Sequence, residues 1–563
     1  MALTLSYSAL LPDAATRAHI RGLLRTNAPV PDVLPFNLYA LSHELARYDS
    51  EIARLEAQMD HLKKRRAAVH EFRAECISLL SPVRRLPAEI LVKIFALCMS
   101  GFDRPFHDHF NEPSNFDVEM ARLARAPLLR LSSVCAMWHA LALGTPTLWN
   151  VIQVDSFVWE RQSDTKPSQD WGTILLTRAI ERSGSSPLSV MIVGDLKGME
   201  NPFKLLVAQS ARWKVFTLWT MQDVIPMFAN ALEGTFPLLE DARINTYSYE
   251  FKDVQTIHPG FSRAPSLRNV ELVPHVLPKI ALPPLEQLRT FRCLWVQPDD
   301  FGDCVSFMAR CPPSLVFRLH VNSNSWTTAD MVKGNIRSIP RTSSDITSLS
   351  IEIEDVGVKR VVRRQATPHI FSKLVLPRLN ELRVELVSDD HRRASHEPCV
   401  PWPHLEFQEL SSRSSFNQSL RILDLSHVSI SEAHLIECLA GLSSLEQLSV
   451  SDYKFIMDED GVAQMLISDN LFRALTLSSC DGDDSPSGLV PRLCTLKCET
   501  RMVFRDESFL AFLLSRAHVG PFSCDLYVEY WQITRTLQPS TIATIDELRS
   551  RQNLVFRVIT PPR

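Results

Sequence analysis

A short apolar pattern recurs along the chain from residue 239 onward and constrains its fold more than any other feature. It consists of one apolar residue, two variable residues, a second apolar residue, one variable residue and a third apolar residue, as in Leu420, Leu423 and Leu425 of "SLRILDLS". Because residues two apart on a strand share a face, the second and third positions are expected to point into a core. A single unit of this kind cannot bury its apolar face alone, so neighbouring units must stack.

Copies of the pattern extend from residue 239 to residue 498. They are Leu239/Ala242/Ile244, Leu267/Val270/Leu272, Leu285/Leu288 with Thr290 breaking the third position, Ile346/Leu349/Ile351, Leu379/Leu382/Val384, Leu420/Leu423/Leu425, Leu445/Leu448/Val450, Phe472/Leu475/Leu477 and Leu493/Leu496/Cys498. The last four begin at residues 420, 445, 472 and 493, which matches the period of leucine-rich repeats, about 20–29 residues per strand and return segment. The earlier stretches "GTILLTRAIERSGSSPLSVMIV" and "NPFKLLVAQSARWKVFTLW" alternate helix, turn and strand. Residues 151–560 are therefore predicted to form an irregular leucine-rich-repeat α/β solenoid.

A second periodic segment lies upstream, in residues 38–80. Its apolar residues fall alternately three and four positions apart, which is the seam of a coiled coil. They are Leu38, Leu41, Leu45, Tyr48, Ile52, Leu55, Met59 and Leu62. The same register continues through Arg66, Val69, Arg73 and Cys76. We therefore predict a long coiled-coil-like helix whose partner is either a second copy of the chain, through residues 38–76, or a later domain of the same chain.

The stretch "SPVRRLPAEILVKIF" ends this helix and starts a shorter one. Pro82 and Pro87 cannot continue a helix, but Pro87 suits a first helical turn, where its missing N–H costs nothing. Glu89 follows in that turn and is favourable against the helix dipole. The apolar residues of the short helix form one stripe, which consists of Ile90, Leu91, Ile94, Phe95 and Cys98. Either the rest of this domain or another protein must cover that stripe.

A further short helix is predicted in "APLLRLSSVCAMWHALALGTPTLW". Pro127 is suited to start it and Gly144 to end it. One face carries Leu131, Val134, Cys135 and Trp138. We expect Val134 and Trp138 in the domain's own core, whereas the Leu86-Pro87 pair, fixed at a turn, is expected at an interface.

The two short helices together resemble the F-box. Its pattern runs Leu-Pro-x-Glu-Ile-Leu-x-x-Ile-Phe, then a leucine-rich helix, Val-Cys-x-x-Trp and a closing Leu-Trp. The matching residues are Leu86, Pro87, Glu89, Ile90, Leu91, Ile94, Phe95, Val134, Cys135, Trp138, Leu148 and Trp149. The wider layout, with a coiled helix running into "SPVRRLP" and then "ERSGSSPLSV", "SARW" and degenerate leucine-rich repeats, is similar to the F-box-like proteins of mushroom-forming fungi (basidiomycetes). One departure is the long stretch 100–126 between the two F-box helices, where most F-boxes have a short link.

The resemblance implies that residues 81–150 dock a Skp-type adaptor, which binds a cullin that carries a RING subunit and a ubiquitin-conjugating enzyme. The adaptor-binding residues it implies are Leu86, Pro87, Ile90, Leu91, Ile94, Phe95, Val134, Cys135 and Trp138. The solenoid would bind an unidentified protein substrate, so the expected function is substrate recognition in a Skp-cullin-F-box type ubiquitin ligase. The alternative is a scaffold outside any ligase that assembles through the coiled helix and the repeats.

No feature of the sequence predicts catalysis or a cofactor. The chain has no Gly-x-Ser-x-Gly, His-Glu-x-x-His, Walker or Gly-x-Gly-x-x-Gly motif. We therefore expect a non-catalytic receptor that promotes transfer by proximity. The 12 cysteines lack metal-ligand spacing and are interpreted as reduced thiols, so neither a metal site nor a cofactor is expected.

Composition excludes further classes of protein. A net charge of −4 argues against general binding of nucleic acid. No uncharged stretch approaches the roughly 20 apolar residues of a membrane span, and the first residues lack the basic opening of a secretory signal. We therefore expect a protein of the cytoplasm, the nucleus or both. Its predicted parts are a partly disordered N-terminal segment (1–37), the coiled-coil-like helix (38–80), a small all-α F-box-like domain (81–150) and the solenoid (151–560).

Overall fold

The structure is a computed structural model of the 563-residue chain. It describes residues 13–26, 29, 38–99, 126–155, 169–194, 200–220, 236–246, 260–322, 326, 336–354, 366–387, 400–426, 428–452, 465–478, 488–528, 536–551 and 554–559. The stretch 100–126, predicted to separate the two short helices, lies outside these residues except for its last position, Ala126. The chain divides into two compact units, Met1–Leu91 and Val92–Arg563.

The first unit is dominated by one long helix. Helix α2 spans Leu38–Leu79, and none of its residues is buried. A shorter helix, α1 (Ala14–Thr26), precedes it, in a segment for which the sequence predicts no element. A 3-10 turn, Pro82–Arg85, follows α2, and helix α3 (Ala88–Met99) begins in this unit. The prediction of a long N-terminal helix is confirmed.

The second unit alternates strands with helices and short 3-10 turns. Its helices are α4 (Ala126–Ser132), α5 (Ala136–Gly144), α6 (Gln169–Arg182), α7 (Glu200–Val207), α8 (Phe301–Met308), α9 (Ala366–Lys373), α10 (His404–Ser414), α11 (Glu432–Ala440), α12 (Asp469–Leu475), α13 (Asp506–Val519) and α14 (Pro539–Ser550). The 3-10 turns are Pro146–Trp149, Ser210–Arg212, Gly260–Arg263, Pro274–Lys279, Leu285–Gln287, Ile336–Ser338 and Phe416–Gln418.

One sheet of 14 strands runs through this unit, and its spatial order is the order of the chain. The strands are β1 (Val151–Asp155), β2 (Leu188–Val193), β3 (Trp213–Thr220), β4 (Asp241–Thr246), β5 (Asn269–Leu272), β6 (Thr290–Val296), β7 (Val316–Asn322), β8 (Ser348–Glu354), β9 (Glu381–Val387), β10 (Ile422–Leu425), β11 (Gln447–Ser451), β12 (Thr495–Glu499), β13 (Phe522–Tyr527) and β14 (Leu554–Ile559). All neighbouring strands are parallel. Because every return segment adds one strand beside the last, the unit is solenoid-like. The predicted α/β class is confirmed.

Two small ladders lie outside the main sheet. The two-residue strand Thr342–Ser343 pairs with Leu374–Val375, and Val400–Pro401 pairs with Val428–Ser429, both in parallel. Each ladder joins return segments of successive repeats. These backbone hydrogen bonds therefore hold successive return segments side by side.

The strand register aligns the second position of the apolar pattern across the whole sheet. The column consists of Ile152, Val190, Phe216, Ala242, Val270, Phe291, Phe317, Leu349, Leu382, Leu423, Leu448, Leu496, Cys524 and Phe556. All of these side chains are buried except Phe556, which is partly buried in the last strand. Helix residues such as Leu206, Leu410 and Leu513 join the same continuous core. The apolar pattern therefore faces the helices, as its spacing predicts.

Two copies of the pattern fall in the wrong place. In the third copy, Leu288, Phe291 and Cys293 occupy the three buried positions, so the copy predicted at Leu285 is three residues early. The copy at Phe472 is wrong, because Phe472 and Leu475 lie on helix α12. Strands β7, β13 and β14 are present without a predicted copy.

Candidate functional site

The turn that introduces α3 has the geometry that its prolines predict. The Nε of Arg84 donates to the Ser78 carbonyl at 2.8 Å, which ties the turn to the end of α2. The Pro87 carbonyl accepts from the N–H groups of Ile90 and Leu91, both at 3.1 Å. The proline therefore stands at the start of the helix, where its own missing N–H leaves no gap in the ladder.

Helix α3 carries two apolar stripes in different environments. Leu91 and Phe95, one turn apart, are buried. Ile90, Ile94 and Leu97 follow the spacing i, i+4, i+7 and so share another face of the helix. On this outer stripe Ile90 is 40% exposed and Leu97 72% exposed, while Ile94 is half-buried. These three aligned side chains form an apolar strip along the outer side of α3.

Helices α4 and α5 provide a second apolar surface. The Trp138 ring packs edge-on against the buried Phe95, with ring centroids 5.0 Å apart, and Trp138 itself is half-buried. Val134 was also expected in the core, but it is 60% exposed because it lies in the turn between the two helices. Leu129 and Met137, on either side of this turn, are exposed as well. The core prediction is therefore wrong for Val134, which is available to a partner.

The end of this helical segment is joined firmly to the first repeats. The indole Nε1 of Trp149 donates to the Ala142 carbonyl at 2.8 Å in a buried hydrogen bond. The guanidinium of Arg182, the last residue of α6, lies 4.6 Å from the Trp149 ring centroid. The Ser189 N–H in β2 donates to the Asn150 carbonyl at 2.8 Å. These contacts fix α4 and α5 to the start of the sheet.

The adaptor-binding residues implied by the F-box resemblance differ in exposure. Pro87, Ile90, Val134 and Cys135 are exposed, Leu86, Ile94 and Trp138 are half-buried, and Leu91 and Phe95 are buried. The two buried residues support the fold and are not accessible to a partner. Leu97 and Met137 are also exposed but were not among the predicted residues. Each lies three positions after a predicted residue, Ile94 and Val134 respectively, so helical spacing could have identified both.

The face of the sheet that points away from the helices is polar, and it is named the polar face here. Its central column lies between the two inward apolar columns. The column consists of Gln153, Met191, Thr217, Arg243, Glu271, Arg292, Arg318, Ser350, Arg383, Asp424, Ser449, Lys497, Asp525 and Arg557. In the repeating pattern this is the variable residue between the second and third apolar positions. Once the register is known, the residues of the polar face can therefore be identified from the repeating pattern.

A buried carboxylate organises the middle of the polar face. Glu352 in β8 is only 3% exposed. Arg292 forms ion pairs with Glu352 and with Glu271, the latter at 3.4 Å, and Arg318 approaches Glu352 at 3.7 Å. Because a buried charge is costly without partners, the two arginines stabilise Glu352. Together with Glu271, these ion pairs join four neighbouring strands, β5 to β8.

A second charged group lies on the adjoining strands. Arg383 pairs with Asp424 at 3.6 Å and with Glu381 at 2.5 Å. Burial raises the pKa of the nearby Glu385 carboxyl, and the Glu352 and Asp424 carboxylates raise it further. The face therefore presents closely spaced charges of both signs.

A cavity of about 530 Å³ opens beside this group. Asp424, Ser426, Ser449, Val450, Ser451, Lys497, Glu499, Tyr527, Val528 and Ile559 line it. The Lys497 ammonium in this cavity has no ion-pair partner in the part of the chain that the structure describes, and the Ser449 hydroxyl is buried without a hydrogen-bond partner there. The cavity therefore offers polar groups that an incoming side chain could satisfy.

Strand β6 contains an irregularity on the same face that the sequence does not signal. The register with β7 shifts between Cys293 and Val296, and Trp295 adopts a left-handed backbone with φ of 54°. Its ring meets His320 edge-on, with centroids 5.1 Å apart. A bulky residue with positive φ is strained, and such strain is found preferentially at contact and ligand sites.

Neither a metal centre nor a membrane span emerges from the described part of the chain. No group of three or more His, Cys, Asp or Glu side chains converges there as metal ligands. Among the helices it contains, none combines the length and the apolar character that crossing a bilayer requires. Comparison of the sequence with known protein families gives no matching family model, and no curated protein matches it either.

Proposed function

We propose that the chain is the substrate-recognition subunit of a Skp-cullin-F-box type ubiquitin ligase. The observation that carries the proposal is the outer apolar stripe of α3, Ile90, Ile94 and Leu97, directly after the Leu86-Pro87 turn of an F-box-like sequence. The helix already contributes Leu91 and Phe95 to the buried interior. A further exposed apolar stripe has no use in the described core, and an adaptor groove would cover it.

The energetics of such a contact are adequate for a stable complex. Burying one large apolar side chain contributes roughly 1.5–3 kcal/mol. Three or four anchors, with Pro87 fixing the entry turn, would hold an adaptor in the nanomolar to micromolar range (about −8 to −12 kcal/mol) after the cost of association.

The polar face is the proposed substrate surface. This face mixes positive and negative side chains, among them Arg292, Glu352, Arg383 and Asp424. Such alternation suits a protein surface or peptide of complementary pattern, whereas nucleic acid would need a uniformly positive strip. The ubiquitin transfer itself would occur on an enzyme held by the cullin, with this chain supplying proximity.

The decisive test replaces the outer stripe of α3 in the full chain. The variant Ile90→Asp/Leu97→Asp is expected to lose at least about 100-fold in affinity for a Skp-type adaptor, the equivalent of two apolar anchors. Its unfolding temperature should stay within a few degrees of the parent, because both side chains are exposed. Leu405→Asp, a similar change at an exposed leucine on α10, is the matched control and should bind normally. Unchanged binding by the double variant would overturn the proposal.

The turn is tested separately by Leu86→Ala/Pro87→Ala. Loss of adaptor co-purification with an unchanged circular dichroism spectrum is expected, because the turn would no longer fix the start of α3. If this variant and the stripe variant both retain the adaptor, the F-box interpretation of residues 81–150 is wrong.

The scaffold alternative has one observation in its favour, the exposed seam of α2. A scaffold would form stable assemblies in cells with no adaptor present in them. Affinity purification followed by mass spectrometry, with the intact chain and with a chain lacking residues 81–150, separates the two functions. Under the ligase proposal the adaptor and cullin disappear with the deletion, and proteins held by both chains are substrate candidates.

A further inference from the structure

Helix α2 displays an apolar seam along its whole length. Eight apolar side chains of the seam are exposed, from 37% at Tyr48 to 68% at Val69, whereas Leu41 and Cys76 are half-buried. The helix has 42 residues, none of them buried, and is about 63 Å long at 1.5 Å per residue. A seam of more than three heptads is long enough to hold two helices together in water.

The seam assigns heptad positions along the helix. The a positions are Leu38, Leu45, Ile52, Met59, Arg66 and Arg73, and the d positions are Leu41, Tyr48, Leu55, Leu62, Val69 and Cys76. The flanking g positions are Glu44, Glu51, Gln58, Arg65 and Phe72, and the flanking e positions are Ser42, Asp49, Glu56, Lys63, His70 and Ile77. The flanking charges are thus acidic in the first half of the helix and basic in the second.

A parallel pair of α2 helices is disfavoured by these charges. In that arrangement each g residue faces the e residue five positions later on the other helix. Glu44 would face Asp49, and Glu51 would face Glu56, so both contacts are repulsive. At the a positions Arg66 would also meet the same arginine of the second copy inside the seam.

An antiparallel pair removes these conflicts. With Ile52 opposite Leu62, every a residue from 38 to 73 faces a d residue of the second copy over the full overlap. Arg66 then lies opposite the Tyr48 ring, where a guanidinium is favourable. Arg73 lies opposite Leu41 near the end of the overlap, where its long side chain can reach water.

Most flanking charges of the antiparallel pair are complementary. Here g faces g and e faces e, so Glu51 meets Arg65 and Asp49 meets Lys63, each pair occurring twice by symmetry. Glu56 meets its own counterpart once, so four attractive contacts outweigh one repulsive contact. In the described part of the chain Asp49 and Arg65 have no ion pair of their own, whereas Glu51 contacts Arg54 at 2.6 Å. We infer that α2 is a dimerisation helix that pairs with α2 of a second copy in antiparallel orientation. This inference is independent of the proposed function.

The pairing has a geometric consequence. Because the helices run in opposite directions, the chain that follows each α2 leaves from opposite ends of the coil. The two exits are separated by about 57 Å, the length of residues 38–76 at 1.5 Å per residue. Two copies of the following domains would therefore be held apart.

The oligomeric state of the full chain is the first test. Light scattering should give twice the 63.8 kDa of one chain. Leu55→Asp places a charge in the centre of the seam and should return the mass to that of one chain, with no change in unfolding of the sheet because α2 is exposed. A monomeric parent chain at micromolar concentration would overturn the inference.

The orientation is tested by charge reversal. Glu51→Lys would face Arg65 in the antiparallel pair, so the dissociation constant should rise about tenfold or more. The added change Arg65→Glu should restore it. In a parallel pair Glu51→Lys would instead relieve repulsion from Glu56 and tighten the dimer, which would overturn the assigned orientation. Glu71→Lys makes the same charge change at an outward f position and is the matched control.

Cross-linking provides an independent measurement of orientation. Gln58 lies beside its own counterpart only in the antiparallel register, so Gln58→Cys should be joined efficiently by a short bismaleimide. The native Cys76 faces its counterpart only in a parallel pair. A dimer cross-linked through Cys76 in the parent chain, with no gain from Gln58→Cys, would contradict the antiparallel arrangement.

Discussion

Individual arginines satisfy the ends of the return helices. The carbonyls at a helix C-terminus have no intrahelical partner and carry the negative end of the dipole. Arg516 of α13 donates to the Leu475 carbonyl at the end of α12, at 3.0 and 2.5 Å, and to Val490 and Leu489 at 2.8 and 2.9 Å. Burial lowers the pKa of Arg516 to about 10, so it stays charged at neutral pH.

Arginine side chains also donate to backbone carbonyls of the preceding segment in two other repeats. Arg413 of α10 donates to the Phe371 carbonyl and, at 2.8 Å, to the Leu374 carbonyl at the end of α9. Arg212, in the "SARW" motif, donates to the Ser186 carbonyl after α6 at 2.9 Å. In these three places a repeat is therefore held to the one before it by an arginine as well as by the apolar core.

Arg516 is expected to be essential for the stability of its repeat. Arg516→Met keeps most of the apolar stem but leaves buried carbonyls without a donor, so the free energy of unfolding should fall by about 3–4 kcal/mol. Urea unfolding followed by circular dichroism measures this. Arg505→Met, at an exposed arginine nearby, should cost less than about 0.5 kcal/mol. An equal effect of the two changes would show that the carbonyl contacts do not stabilise the fold.

Asp300, just before α8, is expected to make stability depend on pH. Burial, with the neighbouring Asp299 and Asp303 charges, raises the pKa of Asp300 to about 6, against 3.8 in an unfolded chain. The folded state binds the extra proton between these values, so this group's contribution to stability falls as pH rises from about 4 to 6.

Asp300→Asn is expected to remove that dependence. The neutral amide should raise the free energy of unfolding at pH 7.5 by about 1–2 kcal/mol, and the gain should vanish near pH 4. The Asp300 carboxyl makes no hydrogen bond to cap α8, so the amide loses nothing there. Thermal melts from pH 4 to pH 8 check this, with Glu286→Gln at an exposed acid as control. A gain that persists at pH 4 would exclude titration of Asp300 as its cause.

At the scale of elements, α3 carries buried apolar side chains on one side and exposed apolar side chains on another. Phe95 is buried against Trp138, so Phe95→Ala should lower the free energy of unfolding by about 3–4 kcal/mol. Ile90→Ala should cost less than about 0.5 kcal/mol and act only on adaptor affinity. Parallel stability and binding measurements on the two variants test this division. If Ile90→Ala destabilises as much as Phe95→Ala, the outer stripe is part of the core.

The apolar triad predicts most central strands and their inward faces, since spacing two residues apart is specific to strands. It fails at Phe472 because positions three apart also share a face on a helix. Local signals distinguish the two, since the Ser468 hydroxyl accepts from the N–H groups of Asn470 and Leu471 and so caps α12. Strands such as β13 are not predicted because the first apolar residue of the pattern is missing. In β13, Pro521 stands at that position, three residues before Cys524.

The two candidate surfaces also differ in how far the sequence predicts them. The stripe of α3 can be read from helical spacing, but which side is buried depends on neighbours far along the chain. The ion pair of Arg292 with Glu352 joins side chains from β6 and β8, which lie on either side of β7. These side chains come close only because of the strand register. Sequence patterns local to one repeat therefore cannot predict the polar face as a unit.

At the scale of the second unit, the sheet is a one-dimensional stack in which each strand is hydrogen-bonded only to its neighbours. Strand β8 is buried along all of its residues and is paired with both β7 and β9. Strand β14 has one neighbour in the sheet and exposes Val555 and Val558. Stability in such a stack is a sum of contacts between neighbours, so opening should begin at the last strand and reach the centre last.

Hydrogen exchange of the intact chain should therefore be slowest in β7–β9 and fastest in β14. Leu382→Ala, in the fully buried column of β9, should cost about 3 kcal/mol and speed exchange in β8 and β10 as well. Val558→Ala in β14 should cost less than about 1 kcal/mol and leave the central strands unchanged. Because coupling passes only between neighbours, the effect of Leu382→Ala should decline with each strand away from β9. Uniform acceleration across the sheet would show instead that the strands unfold as one cooperative unit.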